Sequence, residues 1–159
     1  MANLPLGPHR LEELAKTTID LAKQMLEKNG AFGPFGAVID SDGVRRSVVG
    51  EAGPEAKAAQ IYETIRNGMR NQFLKNEILA GAIVAEATIP PELKPEFHEG
   101  LRLSIESANT ARLIFLPYRK IASAEKLSEP QVDPHAIGPA TFQYGELLAV
   151  NVRPNIFAP

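Results

Sequence analysis

The stretch ILAGAIVAEATI, residues 78–89, decides the fold of this chain. Apolar residues stand at both its odd and its even positions, so neither face of a strand formed here would suit contact with water. Such a strand belongs in the interior of a sheet, with neighbouring strands on both edges. The stretch therefore predicts a central strand, and the segments before and after it must provide the rest of the sheet.

Two amphipathic helices are predicted from apolar residues at helical spacing. The first spans residues 9–28 and ends at Asn29-Gly30, since glycine accepts the left-handed conformation that stops a helix. The second begins at Pro54, where the missing proline N–H costs nothing, and Ile65 lies at the centre of its apolar face. Gly68 inside this helix costs about 1 kcal/mol relative to Ala, which indicates a close approach to a neighbouring element.

Five or six strands complete the predicted fold, at residues 35–39, 44–49, 78–89, 101–106, 111–116 and 144–152. The first two form a hairpin across Asp40-Ser41-Asp42-Gly43, because Asp bonds to its own backbone and Gly accepts a positive φ. Pro117 ends the fifth strand, because proline cannot donate to a ladder. The order helix, two strands, helix, four strands predicts an α+β domain of two layers, with both helices on one face of a mainly antiparallel sheet.

The length and composition fit one domain that spans residues 1–159. Hydrophobic residues make up 44% of the chain, which is enough to form a core. Within the domain, residues 122–141 contain three prolines and are expected to form a long irregular connection. Residues 153–159 are expected to form a tail.

The charge and the cysteine content exclude several partners and chemistries. The 17 basic and 19 acidic residues leave a net charge of −2, so neither nucleic acid nor a membrane surface is expected as a partner. No cysteine is present, which excludes disulfides, thiolate metal sites and cysteine nucleophiles. The histidines, His9, His98 and His135, are too scattered in sequence to form a zinc pair, so no metal is expected.

The glycine-rich loop at residues 30–36 does not indicate a cofactor. It follows a helix and opens a strand, which reverses the order of a dinucleotide-binding loop, so no cofactor is expected. No apolar run is long enough to cross a bilayer, and residues 1–6 lack the pattern of a signal peptide. The sequence therefore predicts a soluble, cytoplasmic protein.

The candidate ligand-binding residues are Phe35, Tyr118 and Arg119. The segment LPYRK, residues 116–120, ends a strand with an aromatic ring and two cations, and arginine pairs with carboxylates and phosphates through two bonds. The same residues fit an ordinary strand end whose charges stay in water, and this interpretation is favoured. If a pocket forms, the Tyr118-Arg119 strand end and the loop that carries Phe35 are expected to line it.

Three short motifs resemble a set of uncharacterised bacterial proteins of similar length. They are Pro34-Phe35-Gly36-Ala37 followed by Asp42-Gly43, then Leu116-Pro117-Tyr118-Arg119, and last Pro154-Asn155-Ile156-Phe157. The resemblance implies a bacterial family with no assigned activity. It carries over no catalytic residues.

Two classes of function fit the sequence. The favoured class is a non-enzymatic module that binds a second copy of itself or another protein. Residues 147–150 carry no charge between Glu146 and Arg153, which predicts a homodimer through this strand or the sheet face beside it. The alternative is a metal-independent enzyme, or a binder of small ligands or anions, that uses the Tyr118-Arg119 strand end.

Overall fold

A computed structural model describes residues 8–49, 57–108, 110–121 and 141–153. It confirms the α+β fold, with two helices and a mainly antiparallel sheet. The helices are α1 (Pro8–Asn29) and α2 (Ala58–Leu74), and the strands are β1 (Phe35–Asp40), β2 (Arg45–Val49), β3 (Ile78–Thr88), β4 (Glu99–Ser107), β5 (Thr110–Ile121), β6 (Thr141–Tyr144) and β7 (Leu148–Asn151). A short 3-10 turn, Pro91–Leu93, lies in the predicted loop between β3 and β4.

β3 lies inside the sheet, as its two apolar faces predict. The strands follow the order β2-β1-β3-β4-β5-β6, and β7 pairs with the same edge of β5 as β6. Every described pair of neighbouring strands is antiparallel. Both faces of β3 are buried up to Glu86, which explains why the strand has no polar residue before that position.

The two helices lie on opposite faces of the sheet, so the domain has three layers where the sequence analysis expected two. α1 covers the face that carries Ala82 of β3, and α2 covers the face that carries Ile83. Successive side chains of a strand point to opposite faces, so a strand that is apolar at every position needs a cover on each side. On the α2 side the buried core consists of Val38, Ile65, Met69, Ile78 and Ile83.

Gly36, and not Gly68, allows α2 to approach the sheet. A Cβ atom at Gly36 would lie 2.6 Å from Met69 Cε and 2.7 Å from the carbonyl oxygen of Ala82, so no side chain fits between β1 and α2 here. Gly68 is exposed on the water-facing side of α2, and a Cβ atom there would meet nothing within 4 Å. The prediction for Gly68 is therefore wrong.

The end of α1 and the β1–β2 hairpin follow their local sequence signals. Gly30 has a φ of 80°, and its N–H donates to the carbonyl of Leu26 at 2.7 Å, which closes the last turn of α1. In the hairpin, the Asp40 carboxylate accepts from the N–H of Asp42 at 2.9 Å, and Gly43 has a φ of 82°. Both predictions are confirmed.

β5 continues through Pro117, so the prediction that this proline ends the strand is wrong. One edge of β5 pairs with β7 before Pro117 and with β6 after it. The Pro117 carbonyl accepts from the N–H of Gly145 at 2.8 Å, which places the missing proline N–H between these two ladders and away from β4. The proline therefore removes no bond to β4. The single last strand expected at residues 144–152 is two short strands, one on each side of this gap.

Some predictions fall outside the described residues. These are the start of the second helix at Pro54, most of the connection at residues 122–141, and residues 154–159 of the tail. Thr141, at the end of that connection, begins β6. Within the described ranges, neither helix combines the length and the apolar character needed to cross a membrane.

We expect Ile65→Ala to lower the free energy of unfolding by about 2–5 kcal/mol, because it removes a buried side chain and leaves a cavity under α2. Ile65 is 2% exposed and packs against the sheet. Urea denaturation followed by circular dichroism measures the change. Leu74→Ala is the matched control, since Leu74 lies on the same helix and is 60% exposed. Equal midpoints for the two variants would show that Ile65 is not part of the core.

Candidate functional site

A cleft of about 880 Å³ opens at the end of the sheet where α1 stops, and we call it the Tyr118 cleft. It is lined by Gly30, Glu86, Ala87, Thr88, Glu96, Phe97, His98, Glu99, Tyr118, Arg119, Lys120 and Phe142. These residues come from the end of α1, from four strands and from the loop before β4. Natural ligand pockets span roughly 300–1,000 Å³, so the cleft is large enough for a small organic molecule.

The cleft forms because β5 extends beyond its ladder with β4. Gly100 pairs with Pro117 at the end of that ladder, and in the described sheet residues 118–121 pair only with β6. A Cβ atom at Gly100 would lie 2.6 Å from the carbonyl oxygen of Leu116, so a glycine is needed where β4 begins against β5. The free side of the β5 extension and the loop at residues 96–98 then form two walls of the cleft.

Tyr118 is the most buried aromatic residue of the cleft, and its contacts link separate strands. It is 7% exposed, and its ring packs edge-on against Phe142, with 5.3 Å between the ring centres. Its hydroxyl donates to Glu86 Oε1 at 2.7 Å. Because β4 lies between β3 and β5, this hydrogen bond crosses one strand and fixes the Glu86 carboxylate in the cleft.

The environment of Tyr118 keeps its hydroxyl protonated. Burial and the hydrogen bond to Glu86 raise the pKa of Tyr118 far above its usual value, and the Glu99 carboxylate acts in the same direction. Burial and a hydrogen bond to Glu27, at 3.1 Å, likewise raise the pKa of the neighbouring Tyr144. At neutral pH both hydroxyls are therefore hydrogen-bond donors and not bases.

The two cations of the β5 end lie over aromatic rings. Arg119 Cζ is 5.2 Å from the centre of the Phe97 ring, and Arg119 Nε donates to Gln143 Oε1 at 2.8 Å. Lys120 Nζ is 5.9 Å from the centre of the Phe142 ring. These contacts hold both cations at the rim of the cleft, where aromatic faces attract positive charge.

Three carboxylates line the cleft: Glu86, Glu96 and Glu99. None of them takes part in an ion pair among the described residues, although Arg119 and Lys120 line the same cleft. The hydroxyl of Thr88, which pairs with Glu99 across β3 and β4, is 3.5 Å from Glu99 Oε1 and forms at most a weak bond to it. In the part of the chain that the structure describes, no three His, Asp or Glu side chains are grouped so as to hold a metal ion.

The structure brings Tyr118 and Arg119 to the cleft but places Phe35 elsewhere. Phe35 is 7% exposed in the core beneath α1, where its ring packs edge-on against Phe32 at 5.7 Å. The loop of which these two rings are part therefore closes the core. Gly30, at the start of that loop, does reach the cleft.

The sequence analysis missed the three carboxylates and the rings of Phe97 and Phe142. One signal was present: Glu86 is the only charged residue in the apolar stretch at residues 78–89. A charge at the end of a strand that is otherwise buried on both faces marks the point where that strand leaves the core. No signal in the sequence joined Glu86 to Tyr118, because their contact depends on the register of three strands.

No protein family model, no curated protein and no solved structure matches the chain. The bacterial family suggested by the short motifs and the predicted cytoplasmic location therefore stay predictions.

We expect Tyr118→Phe to lower the free energy of unfolding by about 1 kcal/mol at pH 8, because it removes the hydrogen bond to Glu86. The pKa of Tyr118 is higher in the folded protein than in the unfolded chain, where it is about 10. The stability that comes from this difference is therefore complete below pH 10 and is lost as the pH rises further. The difference in free energy of unfolding between the unmodified protein and Tyr118→Phe should therefore shrink by about 1 kcal/mol between pH 8 and pH 10.5. Urea denaturation at both pH values measures it, and a constant difference would contradict the burial of this hydroxyl.

Proposed function

We propose that this protein binds a small organic molecule in the Tyr118 cleft. The proposal rests on one observation: the cleft gathers polar and aromatic side chains from four separated parts of the chain around a volume of about 880 Å³. Ligand sites combine apolar walls with a few oriented polar groups. Tyr118 and Phe142 supply such walls, and the Tyr118–Glu86 hydrogen bond supplies an oriented carboxylate.

Binding fits the groups at the cleft better than nucleophilic catalysis does. The raised pKa of Tyr118 keeps that residue a donor, so Tyr118 is not a general base at neutral pH. A nucleophile needs an adjacent base within hydrogen-bond reach. Among the described lining residues, the hydroxyl of Thr88 has only the long contact with Glu99.

Self-association through β7 is a second candidate function, and the contrast between the two edges of the sheet favours it. At one edge, β2 exposes Arg45 and Arg46, and charges of this kind discourage pairing with another strand. At the other edge, β7 contains no charged residue, and in the described structure β5 is its only partner. Leu147 before it is 58% exposed, and Val152 after it is 37% exposed.

The register shows which backbone groups of β7 face outward. The N–H of Val152 donates to the carbonyl of Ala111 in β5. Because the direction of N–H and C=O groups alternates along a strand, those of Ala149 and Asn151 point away from β5. A second copy of the chain, paired antiparallel about a two-fold axis, would extend the sheet through these groups.

We expect Thr88→Trp to block ligand binding in the cleft, because Thr88 is exposed there and the indole would occupy the space. A fragment library screened by NMR should yield ligands that shift the signals of Glu86, Tyr118 and Phe142. Their affinity should fall by about tenfold or more in the variant. Thr64→Trp, at an exposed threonine of α2, should leave binding unchanged. The proposal fails if no fragment shifts the cleft signals, or if binding survives in Thr88→Trp.

We expect Ala149→Pro to release monomers while the fold is kept, because the lost N–H points away from β5 and proline is tolerated at such edge positions. Light scattering at tens of micromolar should show a dimer for the unmodified protein and a monomer for the variant. Val150→Pro removes an N–H that faces β5 and should instead lower the stability of the fold. A monomeric unmodified protein at this concentration would refute self-association.

A further inference from the structure

The Tyr118 cleft carries more negative than positive charge, because three carboxylates line it against the two cations Arg119 and Lys120. Glu86, Glu96 and Glu99 line it, and no cation lies within ion-pair distance of them among the described residues. Glu86 uses Oε1 to accept from Tyr118, which fixes the carboxylate and leaves Oε2 without a described partner. Carboxylates collected in one concave surface focus a negative potential there and attract a cation.

The aromatic rings at the cleft already bind cations of the chain itself. Arg119 lies over Phe97, and Lys120 lies over Phe142, as described above. Beside them, Lys23 Nζ of α1 is 4.5 Å from the centre of the Tyr144 ring. Arg119 and Lys120 are therefore directed toward the rings and not toward the carboxylates, which leaves the carboxylates of the cleft without an ion pair among the described residues.

An anionic ligand would meet a less suitable site. Arg119 is the only described arginine of the cleft, and its side chain is held between Gln143 and the Phe97 ring. Binding of a carboxylate or phosphate to Arg119 would place that anion in the same cleft as three unpaired carboxylates. Like charges at short distance repel, and this repulsion is larger where water is partly excluded.

We propose that the ligand of the Tyr118 cleft is an organic cation: a protonated amine attached to an apolar or aromatic body. This inference rests on the proposed function. The ammonium group lies between the carboxylates of Glu86 and Glu99, and the apolar body packs against the rings of Tyr118 and Phe142. The anion binder suggested by the Tyr118-Arg119 strand end is the opposite choice, and the sign of the ligand charge distinguishes the two.

Three probes with one aromatic body and different charge test the inference: phenethylamine, hydrocinnamate and phenethyl alcohol. Each is titrated into the full chain and followed by NMR at the cleft residues. The amine should bind about tenfold more tightly than hydrocinnamate, and added salt should weaken the amine but not the alcohol. Equal or tighter binding of hydrocinnamate at the cleft would overturn the inference and leave the proposed function standing.

Charge-neutral variants identify the groups that attract the amine. Glu86→Gln combined with Glu99→Gln removes two charges, and the glutamine at position 86 can still accept from Tyr118. The amine should bind about tenfold more weakly to this double variant, while the affinity for the alcohol stays the same. Glu12→Gln, on the exposed side of α1, is the control and should change neither.

The outcomes separate the inference from the function on which it rests. Unchanged amine affinity in the double variant, with its thermal midpoint retained, would overturn the inference. If other fragments bind the cleft and none of the three probes does, the inference falls and the proposed function stands. If no fragment of any charge shifts the cleft signals, both fall.

Discussion

The burial of β3 on both faces is the constraint on which the rest of the structure depends. A strand with no polar position for eight residues cannot lie against water on either side, so each face needs its own helix. Small side chains let both helices come near: Ala80 and Ala82 lie beneath α1, and Gly36 of the neighbouring strand lies beneath Met69 of α2. The three-layer arrangement follows from this two-sided demand.

The position of the cleft follows from where this burial ends. Glu86 is the first charged residue of β3, and α1 stops at Gly30 above the same end of the sheet. Beyond that point β5 and β6 extend past the start of β4, and β6 contacts the last turns of α1 through Tyr144. Tyr118 is buried there against its aromatic neighbours in the core beneath α1, and its hydroxyl is bonded to Glu86.

Local features of the fold could be predicted from the sequence, because their causes are local. The helix stop at Gly30 and the hairpin turn at Asp40 depend on the conformational preferences of those residues alone. The face on which each helix packs could not be predicted, since an amphipathic stripe such as that around Ile65 shows only that the helix is covered. Pro117 was misinterpreted for a related reason: its effect depends on the edge of the strand toward which its nitrogen points.

The candidate site was only partly predictable. The pair Tyr118-Arg119 stood out because an aromatic ring and cations follow a strand. Phe35 was grouped with them because it follows a glycine-rich loop, but its side chain points beneath α1. Glu86 and Glu99 come together with Tyr118 only through strand register, and an alternating pattern does not fix register between strands that are far apart in the chain.

The gap at Pro117 divides one edge of β5 into two ladders that share no hydrogen bond. β7 holds the first part of the edge and β6 the second, each through four residue pairs. Opening one ladder breaks no bond of the other, so β6 and β7 form separate units of local unfolding. Since β6 carries Phe142, the aromatic wall of the cleft and the β7 edge are held to β5 by different ladders.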